Sequence, residues 1–192
     1  MISEKRQNEL RELCELWSIA FDDYYCEMDD DEFEDEVSDW EEGEDDPLYQ
    51  ACSRQRQMGF EAYQQEIIAE IAALDVAEEL HFIAQNYNWD DGMGVLQQIA
   101  QHPKCSFQTA KLIYWYSQPD YIYENYGAPT NPLGKPFELD NAEHAQLLII
   151  IEQRMQNSNY TETLDVELNF SGFNAPDYNK APFDRIPEIL RI

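Results

Sequence analysis

Carboxylates are the residues of this sequence with the most chemistry to offer. From Asp22 to Asp46 there are sixteen Asp or Glu residues and no Lys or Arg. The densest run is Asp29-Asp30-Asp31-Glu32. A calcium loop needs oxygen ligands at alternate positions, a central glycine and a terminal bidentate Glu. This run lacks that pattern, so it attracts cations diffusely and specifies no metal site. The second candidate is the pair Asp90-Asp91, set between Trp89 and Gly92. In a cleft such a pair could act as acid and base, or as ligands. The plainer reading is that one of them caps a helix starting near Met93, accepting its free backbone N–H groups. The histidines, His81, His102 and His144, have no Ser, Cys or Asp at a telling spacing, and no GxSxG, HExxH, Walker or GxGxxG pattern occurs. Cys14, Cys26, Cys52 and Cys105 stand far apart without a CxxC pair and read as reduced, space-filling thiols. The sequence therefore assigns no catalytic residue, no metal and no cofactor, and points away from an enzyme.

Charge points instead to a partner. Forty acidic residues against twelve basic ones give a formal charge of −28, while a hydrophobic fraction of 43% and an aromatic fraction of 13% still provide for a buried core. Such a body repels nucleic acid and anionic lipid and draws in basic proteins over a Debye length of about 8 Å at physiological salt. Apolar residues recur inside the acid run, which a purely solvating tail would not need. The expected partner-contact residues are Asp29, Asp30, Asp31, Glu32, Phe33, Glu34, Asp35, Glu36, Trp40, Glu41 and Glu42. Two alternatives stand beside that reading: a solvated charge block with no partner, and a mimic of nucleic acid whose carboxylates take the place of phosphates. With no apolar stretch long enough to span a bilayer and no leader-like start, the expected location is the cytoplasm.

These residues must be held by helices. Leu10, Leu13, Cys14, Trp17, Ala20 and Phe21 form one stripe at three- and four-residue steps and predict a helix over about 3–25. Phe60, Tyr63, Ile67, Ile71 and Leu74 predict a second over about 48–74, with Gly59 as a weak point. Asp75 with Glu78 suggests a capping box for a third, carrying Leu80, Ile83 and Ala84 and stopping at Asn88–Gly92. A short helix with Val95, Leu96 and Ile99 comes next. Ser106 caps another, closed by Pro119, and the proline-rich stretch 127–139 reads as a surface loop. Asp140 and Glu143 open a helix to about Gln156. From Leu164 to Phe170 apolar and polar residues alternate, which predicts a short half-buried strand. The fold class is thus mainly α: a compact multi-helix domain with a small C-terminal β element and an acidic N-terminal arm. The division is 1–74, holding the acid run 22–46, and 75–192.

Leu80-His81-Phe82-Ile83-Ala84, Tyr87-Asn88-Trp89-Asp90-Asp91-Gly92, His102-Pro103-Lys104-Cys105, Thr109-Ala110 and Ile113-Tyr114-Trp115 occur in that order. Together with Ile186-Pro187-Glu188-Ile189-Leu190 at the end, this string resembles the bacterial domain-of-unknown-function family 4274 over residues 75–192. The resemblance implies a small helical protein in which Trp89, Asp90, Asp91, Gly92, Pro103 and Cys105 are motif residues of structural role. Some members of that family resemble immunity proteins that neutralise polymorphic toxins by direct binding. The expected function is therefore an immunity or inhibitor protein occluding a basic toxin that acts in the cytoplasm. An adaptor or chaperone-like binder of basic proteins is the alternative, and an enzyme using Asp90 and Asp91 a second one.

Overall fold

The computed structural model describes residues 2–38, 43–138 and 141–192. Helix α1 (Glu4–Ser18) starts where the Ser3 side chain accepts the Arg6 N–H, and it buries Leu10, Cys14 and Trp17. Its apolar stripe runs on through a 3-10 turn (Ile19–Phe21), which ends at Asp22 in extended backbone. The helix expected to reach residue 25 therefore breaks three residues earlier. A separate single turn, α2 (Tyr24–Glu27), comes next, and then α3 (Asp30–Val37). The second long helix is also two. Gly59 sits at φ 84°, ψ 149°, a conformation closed to residues with a Cβ, and divides α4 (Pro47–Met58) from α5 (Phe60–Ala72).

Helix α6 (Ala77–Asn86) has no side-chain cap. Asp75, expected to supply one, instead has its carboxylate 3.7 Å from Lys104 Nζ. Helix α7 (Gly94–Gln101) succeeds the Asn88–Gly92 turn. Helix α8 (Phe107–Tyr116) is capped by Ser106 as expected, its Oγ accepting the Thr109 N–H. Pro119 opens a helix where it was expected only to close one. Its fixed φ suits the first helical position, and α9 (Pro119–Tyr126) begins there after Gln118 in the left-handed region at φ 52°. Helix α10 (Asn141–Gln156) completes the set; Asp140, expected as its cap, lies outside the described residues.

The expected C-terminal strand does not form. Leu164, Leu168 and Phe170 are half-buried with exposed neighbours, while Val166 between them is itself exposed, so the alternation of burial is only partial. No strand lies alongside, however, and among the described residues β pairing is a single bridge between Ser106 and Glu162. The stretch lies extended beside α8, with Gln108 Oε1 accepting the Leu164 N–H at 2.9 Å. The C-terminal tail takes two 3-10 turns, Phe183–Arg185 and Glu188–Leu190. Trp115 Nε1 and Lys111 Nζ donate to the Leu190 and Arg191 carbonyls at 2.6 and 2.7 Å, pinning the tail to α8.

Helix α10 packs on α7, α8 and α9, while α1 covers α6 and α7 and α5 covers α7. One core cluster therefore runs from Leu10 to Leu190. Helices before residue 75 and those after it close each other's apolar faces.

Within this core His81 is only 5% exposed. Its Nδ1 lies 3.1 Å from Thr109 Oγ1, which lies 2.8 Å from Ser106 Oγ, and its Nε2 has no partner among the described residues. Burial lowers its pKa below the ordinary 6.5, because the imidazolium would lose hydration without a new acceptor. Unfolded chains thus take up the proton first, so the stability this group supports is complete above about pH 6.5 and falls as pH drops through the folded-state value. His81→Asn, which can still meet Thr109, should flatten stability between about pH 7 and 5.5 relative to the natural protein in paired urea titrations.

Candidate functional site

The described part of the acid run is built into the fold, and in this it departs from the expected arm. Phe33 and Val37 on α3 are 4% and 5% exposed. The Phe33 ring lies 5.6 Å from that of Tyr49 and 6.3 Å from that of Tyr25. Phe33, expected to anchor a partner, is therefore engaged with the protein's own core. Position in the helix decides this: residues 33 and 37 fall four apart on the inner stripe, and the carboxylates take the remaining directions.

Helix α3 is pinned at its start by a reciprocal capping box. Asp29 Oδ1 accepts the Glu32 N–H at 2.9 Å, and Glu32 Oε2 accepts the Asp29 N–H at 3.2 Å. Carboxylates in the first turn also face the positive end of the helix dipole. The acidity that looked like bare charge is thus partly what makes the helix form, and the D-x-x-E spacing was its signal. Asp29, Asp30, Asp31, Glu32, Glu34, Asp35 and Glu36 are all exposed. The structure brings these seven together, six on one short helix and Asp29 at its N-cap. Trp40, Glu41 and Glu42 lie outside the described residues.

Arg56, which the sequence did not single out, holds α2 and α3 in place. It donates to the Tyr25 and Met28 carbonyls at 2.9 and 2.8 Å and to Asp30 Oδ1 at 2.7 Å, with its guanidinium 4.5 Å above the Phe33 ring. Other cations are likewise turned toward backbone. Arg154 donates to the Ala100, His102 and Asn159 carbonyls, Arg185 to Gly127, and Arg191 to Asp184 and Ile186. These four arginines serve internal bracing, and carboxylates outnumber the remaining cations at the surface.

The Asp90-Asp91 pair sits in a 3-10 turn (Trp89–Asp91). Neither residue caps α7. The Met93 N–H is instead accepted by Glu143 Oε2 from α10 at 3.2 Å, fifty positions away in sequence. Asn88 organises the turn: its Oδ1 accepts the Asp90 N–H at 3.3 Å and its Nδ2 donates to Asp91 Oδ1 at 2.8 Å. Burial raises the Asp91 pKa, with the Asn88 hydrogen bond opposing and the Asp90 charge adding to the rise. Trp89 stacks with Tyr116 and His144 at centroid distances of 5.6 and 6.4 Å, and Gly92 takes φ 81°. Asp90 and Asp91 line a cleft of about 430 Å³ together with Phe21, Asp22 and Tyr25. No cluster of three or more His, Cys, Asp or Glu suited to a metal occurs among the described residues. Pro103 is exposed in a turn, and Cys105 is fully buried, its thiol pushed up to about 12 by that burial. Cys14 and Cys52 are raised to about 12 for the same reason and stay protonated at neutral pH.

Fold and site together define a mainly helical protein carrying a braced, carboxylate-rich outer helix. Residues 75–156 match the family model described as Domain of unknown function (DUF4274). The match runs from the entry of α6 to the end of α10, so the C-terminal stretch 157–192, included in the resemblance read from the sequence, lies beyond it. A family of unknown function assigns no reaction. No curated protein and no solved structure matches the chain. No helix among the described residues is long and apolar enough to cross a membrane.

Proposed function

We propose that this protein is an immunity protein, which binds a basic, cytoplasm-acting bacterial polymorphic toxin and neutralises it by occluding its working surface, with no catalysis of its own. The observation that carries this reading is α3: six exposed carboxylates, with Asp29 at the N-cap, on a helix fixed by a capping box, by Phe33 and Val37 in the core, and by Arg56. A flexible acidic tail would lose conformational freedom on binding. A braced helix presents its charges in place, which favours both encounter rate and fit. Toxins that attack nucleic acid commonly carry basic surfaces, and carboxylates held at fixed spacing can occupy such a surface in place of phosphates.

The test starts with co-purification from the native cell and identification of the bound protein. Association of the purified pair is then followed by stopped flow at rising salt. The rate constant should fall steeply with ionic strength. Changing Asp31, Glu34, Asp35 and Glu36 to their amides should slow it by about tenfold or more at low salt. These four spare the Asp29–Glu32 box and the Arg56–Asp30 pair, and circular dichroism of the variant checks that α3 survives the loss of the Asp31 charge from its first turn. Recovery of many unrelated basic proteins would favour a chaperone-like binder, and a rate indifferent to salt and to the four substitutions would remove the electrostatic basis of the proposal.

A further inference from the structure

Helices α1, α4 and α5 wall a cleft of about 320 Å³. Much of its lining is apolar, with Leu13 and Leu16 from α1, Ala51 from α4 and Ile67 from α5. Trp17 and Tyr63 also line it, although these side chains are only 2% and 4% exposed. Trp17 Nε1 donates to Glu70 Oε2 at 3.0 Å, whereas the Tyr63 hydroxyl has no hydrogen-bond partner among the described residues. A polar group taken into the core without a partner is costly, and folds keep such a group where something else satisfies it. The surroundings of this hydroxyl show where that partner enters. Burial raises the Tyr63 pKa above the usual 10; Arg54 opposes the rise, and Cys52, Glu70 and Glu66 add to it. Three of those four groups, Arg54, Glu66 and Glu70, line the cleft, so the hydroxyl is directed into it.

The charged groups around the cleft set the sign of the ligand. Glu66 is ion-paired with Arg54, so those two charges offset each other. Glu70 has the Trp17 N–H as its donor and no cation partner among the described residues. One uncompensated negative charge therefore shares the cleft with a hydroxyl oxygen free to accept. A primary ammonium meets both needs, since its N–H groups can be donated to the Glu70 carboxylate and to Tyr63 Oη. The apolar lining calls for an apolar body behind that ammonium. A volume near the lower end for ligand clefts admits one ring on a short chain. We infer that the cleft between α1, α4 and α5 is a binding site for a small arylalkylamine. Its ring packs against Leu13, Leu16 and Ile67, and its ammonium lies between Glu70 and Tyr63. These residues are on other helices than α3, and the site does not depend on the proposed capture of a basic protein.

The probe is phenethylamine, titrated into the full-length protein by isothermal calorimetry at fixed salt. Phenylethanol keeps the ring without the charge, and methylamine keeps the charge without the ring. Saturable one-to-one binding of phenethylamine is expected, about tenfold or more tighter than either control compound. Tyr63→Phe should weaken it about three- to tenfold and leave the urea midpoint unchanged or raised, because the hydroxyl it removes has no partner in the fold. Glu70→Gln keeps an acceptor for Trp17 and should weaken phenethylamine about tenfold while leaving phenylethanol unaffected. The control pair Asp165→Asn with Glu167→Gln removes charge from the exposed segment beside α8 and should change affinity by less than about twofold. Absence of saturable binding would mean that water alone satisfies Tyr63, and would overturn the site. Equal binding of methylamine, or equal loss from the control pair, would reduce it to diffuse attraction and overturn it as well. So would unchanged affinity in Tyr63→Phe or Glu70→Gln. A lowered urea midpoint in Tyr63→Phe would show the hydroxyl already satisfied within the fold and would remove the premise.

Discussion

Replacing Gly94 by Ala should destabilise this protein by about 3 kcal/mol, near the upper end of what overpacking by a single methyl group costs. A Cβ built at Gly94 would lie 2.0 Å from Phe21 Cδ1 and 2.2 Å from Cγ, well inside any tolerable contact. The obstacle is a ring attached to the turn that ends α1, and the ring cannot yield without moving that turn. Nothing in the backbone demands glycine here, because Gly94 is absent from the positive-φ positions. The demand comes from packing between the part of the chain before residue 75 and the part that matches the family. The cost should therefore vanish when the ring is removed. Phe21→Ala should itself cost about 2 kcal/mol for a half-buried ring, and adding Gly94→Ala to it should cost little more. A coupling of about 2 kcal/mol or more in the double-mutant cycle, measured by urea denaturation, is the expected outcome. Additive effects would mean that Phe21 and Gly94 do not meet and that the two parts of the chain are less closely docked. The same contact bears on function, since the turn carrying Phe21 leads directly into α2 and α3, and a loosened turn would misplace the carboxylates.

Local rules in the sequence reached some of this and missed the rest for definable reasons. Ser106 and the helix it caps follow from a side chain and backbone three residues apart, so spacing alone was enough. The break at Gly59 was visible as a weakness. Its extent was not, because a glycine's left-handed preference shows only once the chain's direction is known. The acidic run was read as an arm because like charge suggests solvation. Four-residue spacing of Phe33 and Val37, together with the D-x-x-E box, held the contrary signal. The alternation from Leu164 to Phe170 matches half-burial at Leu164, Leu168 and Phe170 but not at Val166. It mispredicted a strand because strand formation needs a partner edge, and the neighbour here is helix α8. Glu143 on the Met93 N–H and Arg56 on the Tyr25 and Met28 carbonyls were beyond reach, since each joins residues 28 or more positions apart. Asp90 and Asp91 show the same limit: their neighbourhood suggests a cap, yet α7 has no side-chain cap, and the N–H of Met93 before it goes to Glu143 on another helix.

Glu152→Ala should cost about 4 kcal/mol, whereas Glu152→Gln should leave stability unchanged or raise it, and the contrast separates hydrogen bonding from charge. Glu152 Oε1 accepts from the hydroxyls of both Tyr114 and Tyr123, at 2.8 and 2.9 Å. These tyrosines are 0% and 2% exposed. Truncation to Ala orphans the Tyr114 hydroxyl, leaves Tyr123 only the long contact to the Arg185 carbonyl at 3.4 Å, and opens a small void, with each lost partner costing about 1–3 kcal/mol. Glutamine keeps an acceptor oxygen in the same place and removes the need to bury a negative charge. Burial is the main influence on Glu152 and raises its pKa above 4.5, while the two tyrosine hydrogen bonds pull the other way. A group with a raised folded-state value contributes stability fully below its unfolded value and loses it as pH rises through the folded value. Relative to the natural protein, Glu152→Gln should therefore gain stability as pH rises from about 4 to 7. His81 works with the opposite sign, since its neutral form is the buried one and acidification is what costs stability. The two substitutions should thus give pH profiles that diverge in opposite directions from that of the natural protein. Because each profile is a difference between two proteins sharing all the other carboxylates, the general repulsion among them cancels. A gain from Glu152→Gln that shrank toward neutral pH would show that the two tyrosine hydrogen bonds, and not burial, govern this carboxyl group.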